Sequence, residues 1–153
     1  MFDVLVYLFE NYRTPQLFPE TDALAKKLTT VGFDEDDVDR ALDWLMGLAS
    51  ATQNITLVSH AAETSTRVYA QQERDQLGED AIAFLSYLDA AGELAGPHRE
   101  LIIERALAVG ESPLPIEQLR IISLMVLWSQ EVEFGSLLLD ELLAGEQDSR
   151  RAH

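Results

Sequence analysis

The stretch from Pro115 to Gln130 constrains this chain more than any other. Ile116, Leu119, Ile121, Ile122, Leu124, Met125, Val126, Leu127 and Trp128 place apolar side chains on nearly every side of a helix. Such a helix cannot lie on a surface. It is too short to span a bilayer, and Glu117, Gln118 and Arg120 fall at its start. Other parts of the protein must therefore cover it, and Trp128 is expected in the core.

A chain of 153 residues, 47% hydrophobic, can supply that cover as one core or as two small lobes sharing one. A net charge of −16 does not make so apolar a chain disordered. There is no cysteine, which excludes disulfides, thiolate catalysis and Cys-ligated zinc. Met1 to Tyr12 carries Asp3 and Glu10 and no basic residue, so it does not read as a signal peptide. No apolar run is long enough for a membrane span, and a cytoplasmic location is the expectation. Residues 1–76 hold thirteen acidic and six basic residues, and residues 77–153 hold fourteen and five, so neither half is basic. Such a field repels phosphate backbones and anionic membranes and favours a partner with a basic surface.

Periodicity divides the chain into elements. Phe2, Leu5, Val6, Leu8 and Phe9 predict a first helix ending near Tyr12. Pro15 and Pro19 bound an extended link. Thr21 or Asp22 can cap a second helix with Leu24, Ala25 and Leu28 inside. Gly32 is placed to supply a positive φ in the following turn. Asp34 opens a third helix, with Asp36 and Asp37 in its first turn, where carboxylates favour the exposed N–H groups and the dipole. Its inner face is Val38, Ala41, Leu42, Leu45 and Leu48. Ile55 to Val58 and Thr66 to Tyr69 alternate with β-favouring residues and read as two strands joined by the polar loop Ser59 to Ser65.

The expected fold is mostly α: a winged-helix-like lobe over residues 1–70, with three helices and a short β-hairpin, packed on a helical lobe of four or five helices over residues 71–145. In that second lobe Pro97 suits a first helical turn, and Gly110 suits a left-handed helix end. Phe134, Leu137, Leu138, Glu141 and Leu142 predict a last helix. Residues 146–153 read as a disordered tail.

A search for chemistry is mostly subtractive. His60, His98 and His153 are widely separated, with no HxxxH or HExxH spacing, and no metal site is assigned. The acidic run from Asp34 fails the EF-hand pattern, since Asp39 and Leu45 stand where Gly and Glu are required. There is no GxxxxGK[ST], no GxGxxG and no GxSxG. No catalytic residue and no cofactor are assigned. Arg105 falls toward an inner stripe and needs a carboxylate, which makes Arg105 with Glu104 a structural ion-pair candidate, with Asp89 and Glu93 as further partners for Arg105 and a substrate clamp as the alternative reading. An enzyme would need a polar pocket uniting Arg105, His98 and Glu104.

The would-be recognition helix carries Glu35, Asp36, Asp37, Asp39 and Asp43 against Arg40 alone, so laid in a groove of DNA it would meet like charge. Direct DNA binding, if any, would have to use a non-standard face. Asp36, Asp37, Asp39, Arg40, Asp43 and Trp44 are instead the candidates for a protein-interaction face. Trp44 has two readings: an anchor within a charged surface, or a ring that finishes the core. The apolar residues Leu137 to Leu143 either cover the central helix or pair with a second copy.

Several landmarks carry a resemblance. They are the opening Met1-Phe2-Asp3-Val4-Leu5-Val6-Tyr7-Leu8-Phe9-Glu10-Asn11-Tyr12; Gly32-Phe33 followed by Val38, Ala41-Leu42 and Trp44-Leu45; Arg67-Val68-Tyr69; Phe84-Leu85 with Leu88; the run from Arg99 to Ala108; and Leu119 to Leu127. Together they resemble the bacterial Smg protein family, a domain of unknown function, from Met1 to about Leu143. The resemblance implies a small cytoplasmic protein without an established activity. Genes of such proteins often neighbour those for DNA processing, protein synthesis and tRNA modification, which implies a context and assigns no residue. The function expected from the residues is a non-catalytic acidic interaction or regulatory module. A nucleic-acid-associated protein and an enzyme of unknown class are the alternatives.

Overall fold

The computed structural model describes residues 1–12, 17–58, 71–90 and 96–130. Among these residues there are seven helices and no strand: α1 (Phe2–Asn11), α2 (Thr21–Val31), α3 (Glu35–Val58), α4 (Gln71–Leu77), α5 (Glu79–Ala90), α6 (Gly96–Val109) and α7 (Ile116–Ser129). None of them is long and apolar enough to cross a membrane.

Helix α7 sits at the centre. Leu119, Ile122, Leu124, Met125, Val126 and Leu127 are fully buried, and Trp128 nearly so. Ser123 shares this interior and donates its hydroxyl to the Leu119 carbonyl at 2.9 Å, which satisfies it without any partner from outside the helix. Cover comes from α1, α5 and α6. Helix α3 packs against α6, α2 and α1, so the N-terminal helices and α7 contribute to one continuous core. Near the C-terminal end of α7 the rings interlock. Phe9 and Phe18 meet Trp128 at 6.1 and 5.7 Å, and Tyr12 stands edge-on to Phe18 at 5.1 Å.

Two turns obey their glycines. Gly32 ends α2 at φ +123°, and its N–H donates to the carbonyls of Leu28 and Thr29. Gly110 follows α6 at φ +82°. Both conformations are ones a Cβ disfavours, so the chain stops its helices where the sequence permits it. The connector from Gly110 to Pro115, with a cis Ser112–Pro113 bond, is tied to α4: the Leu114 N–H donates to the Leu77 carbonyl and the Ser112 hydroxyl to that of Asp75.

The expected β-hairpin, and with it the winged-helix form of the first lobe, is corrected by the course of α3. This helix does not stop near Leu48. It continues through Ile55 to Val58, the residues read as the first strand. Adding a residue to an existing helix forms a hydrogen bond at little cost, and Ser50 to Asn54 contains neither Gly nor Pro to interrupt it. The β-preference of Ile55, Thr56 and Val58 is a weaker influence than that continuity. Residues 66–69, the loop before them, the helix read at 134–142 and the tail lie outside the described residues.

Because α7 is enclosed on all sides, truncating it leaves a void with little room to collapse. Met125→Ala should cost about 2–5 kcal/mol, read as a lower urea midpoint with an unchanged m-value.

Candidate functional site

The site is built on α3, and its orientation is set by one cluster. Trp44, only 6% exposed, turns inward to α6. Its indole Nε1 donates to the Arg105 carbonyl at 3.3 Å, and Arg105 Nη1 donates back to the Trp44 carbonyl at 3.0 Å. The guanidinium also lies over the indole, 5.7 Å from the ring centroid. Arg105, 8% exposed, is completed by Glu104, which accepts from Nε and, at 2.8 Å, from Nη2. Its charge is thus buried beside a carboxylate, a main-chain carbonyl and the indole face rather than alone.

Gly47 makes the arrangement possible. A Cβ on Gly47 would collide with Arg105 Nη1 and stand 3.0 Å from Cζ. The guanidinium occupies the space a side chain would take. A glycine inside a helix ordinarily costs about 1 kcal/mol relative to alanine; here it lets α6 lay its charged side chain on the α3 backbone.

With Trp44 turned in, the charged residues turn out. Asp36, Asp39, Arg40 and Asp43 are exposed, and Asp37 is half-buried. Asp36, Asp39 and Asp43 follow i, i+3, i+7 spacing and so form one acidic row. Asp37 lies on another side and pairs with the Met1 amino group at 3.3 Å. The structure therefore gathers Asp36, Asp39 and Asp43 on one surface with Arg40 beside them, and it removes Trp44 from that surface. As an exposed anchor Trp44 is excluded, because its ring lies beneath the guanidinium.

Arg105 also borders a cleft of about 690 Å³ whose walls include Arg40, Asp43, Gly47, Glu111 and Gln118. His98 is not among the described wall residues, so the cleft does not unite Arg105 with His98. Asp89, a possible partner for Arg105, instead accepts from Arg99 at 3.0 Å, and Glu93 lies outside the described residues. Arg99, 5% exposed, is a buried charge the sequence reading missed. The signal was present: Arg99 stands in i, i+3, i+4, i+7 register with Ile102, Ile103 and Ala106, all buried. Among the described residues no three His, Cys, Asp or Glu side chains are grouped to hold a metal ion.

His98, in the first turn of α6, is half-buried, and that desolvation lowers its pKa from the ordinary 6.5. The unfolded chain then binds a proton at a pH where the folded chain resists it. The resulting contribution is intact above about pH 6.5 and is lost as pH falls toward the depressed folded value. His98→Gln should flatten this part of the acid-side decline, measured as urea midpoints at about pH 7.5 and about pH 5.5.

A double-mutant cycle checks the cluster. Gly47→Ala gains helix propensity but displaces the guanidinium, and should cost about 1–2 kcal/mol net. In an Arg105→Ala background the same change should be neutral or stabilising by up to about 1 kcal/mol.

Comparison with known proteins adds full-length relatives. A family model described as "Protein of unknown function (DUF494)" matches residues 1–153. The chain is 50% identical over 153 residues to a protein named Protein Smg homolog from Bordetella pertussis (strain Tohama I), covering 100% of both chains. It is 46% identical over 153 residues to the Protein Smg homolog of Herminiimonas arsenicoxydans, covering 97% and 96%, and 47% identical over 148 residues to that of Leptothrix cholodnii, covering 97% of each. No solved structure matches it. Agreement at this level over the whole length means that the chain belongs to the Smg family of proteins of unknown function.

Proposed function

We propose that this protein is a non-catalytic interaction module of the cytoplasm that engages a protein partner through the outer face of α3. The supporting observation is the exposure of Asp36, Asp39 and Asp43 in one row on a helix locked to α6 through the neighbouring Trp44 and Gly47. A preformed acidic row loses little conformational freedom when a basic surface meets it. Complementary charge also speeds the encounter and disfavours wrong partners. The same row disfavours phosphate, so direct DNA binding is not part of this reading. A regulatory role alongside DNA processing or translation suits a module of this kind, because such a role asks for binding rather than chemistry.

The partner is a different protein with a basic surface, and sedimentation equilibrium of the purified chain distinguishes this from self-association. In capture experiments from a native extract, the triple substitution Asp36→Lys, Asp39→Lys and Asp43→Lys should release a specific partner held by the unaltered protein. The affinity for that partner should fall at least tenfold and weaken as salt rises. Identical capture by both proteins, or tight and steeply salt-dependent DNA binding by the unaltered protein, would refute the reading.

A further inference from the structure

Next to its acidic row α3 carries an uncharged surface. Phe18, Leu24, Leu42, Leu45, Met46 and Ala49 line a groove of about 460 Å³ that reaches Ser129 and Gln130 at the end of α7. One wall is held firmly, since Phe18 is packed on Trp128 and Tyr12. Met46 on the groove is 61% exposed, and Leu17, which directly precedes Phe18, is 60% exposed. No charged side chain lines the groove among the described residues.

The charges stand around it. Asp43 and Asp39 lie three and seven residues before Met46, on the same side of α3, and both are exposed. On the α2 side, Glu20 and Asp22 flank the lining residue Thr21 and are exposed. Lys27 on α2 is turned onto the Tyr12 hydroxyl at 3.1 Å. The result is a mostly apolar slot, with Thr52 and Gln53 among its uncharged polar lining and acidic borders on two helices.

We propose that this groove receives the apolar face of an amphipathic helix from the partner, with Lys and Arg along that helix's flanks. This deepens the interaction reading above and rests on it. Apolar anchors of such a helix recur at i, i+3, i+4 and i+7 and lie in a slot, while its polar edges meet the rim. Charge selects this occupant over the chain's own continuation. Residues 131–143 hold Glu131, Glu133, Asp140 and Glu141 and no Lys or Arg, so they share the sign of the borders. A second copy of this chain, with its net charge of −16, is disfavoured for the same reason.

The test uses the full chain and a dye-labelled synthetic helix of Leu and Lys in amphipathic register, followed by fluorescence anisotropy. The control peptide has the same composition with its Leu residues spread around the helix. The amphipathic peptide should bind at least tenfold more tightly than the control. Met46→Asp should weaken it at least tenfold, although the substitution adds a negative charge that plain electrostatic attraction would reward. Met46→Gln should weaken it to a lesser degree, and unchanged urea midpoints would show that both variants fold.

Equal binding of the two peptides, or binding left unchanged or tightened by Met46→Asp, overturns the proposal. So does rapid disulfide formation between Met46→Cys and Leu138→Cys in this otherwise cysteine-free chain, which would seat the chain's own segment in the groove. If Met46 variants are inert while the Asp36, Asp39 and Asp43 substitutions still release the partner, the groove assignment fails and the interaction module stands. If neither set matters, both fail.

Discussion

The exchange of hydrogen bonds between Trp44 and Arg105 fixes how α3 is rotated about its own axis. Each residue offers a side-chain donor to the main-chain carbonyl of the other. Both carbonyls belong to helices, so neither helix can turn without losing a buried contact. The exposure of Asp36, Asp39 and Asp43 follows from that rotation, because these residues lie on the flank left over once Trp44 faces inward. Glu104 keeps the arrangement from burying a bare cation, and Gly47 gives it room.

Around this cluster the molecule behaves as a single packed body. From Ile122 to Trp128 helix α7 is buried on every side and needs neighbours from early and late in the chain alike. Helix α1 reaches it from the N-terminus, and α5 and α6 from the second half. Ring packing of Phe9, Phe18 and Trp128 brings the short link before α2 into the same core. That link and α3 form the two walls of the groove, so the groove is shaped by the residues that seal one end of the interior.

Much of this was legible in the sequence where a residue type admits few conformations or environments. A helix apolar all round had to be internal, and α7 is. Gly32 and Gly110 had to end helices, because a positive φ suits glycine. The acidic row followed from spacing alone. What could not be read depended on how distant segments meet. Trp44 and Arg105 are 61 residues apart, and neither sequence neighbourhood indicates that each would bond the other's backbone. Nothing around Gly47 in the sequence signals the guanidinium that lies against it. The hairpin was misread because Ile55, Thr56 and Val58 favour strands locally, whereas the end of α3 is governed by continuity of the helix. Arg99 and the pairing of Asp89 show the same limit: burial of α6 was foreseeable, but the pairing of its charges was not.

The length of α3 has a mechanical consequence. Twenty-four residues at 1.5 Å per residue make a rod of about 36 Å, with the acidic row near one end and residues 54–58 at the other. A rod of this kind gives most easily at an internal glycine. Here that residue is wedged by a neighbouring helix, which removes the natural flexing point. A displacement of the acidic end would then be carried to the far end as tilt of the whole rod, levered about the point where α6 crosses it.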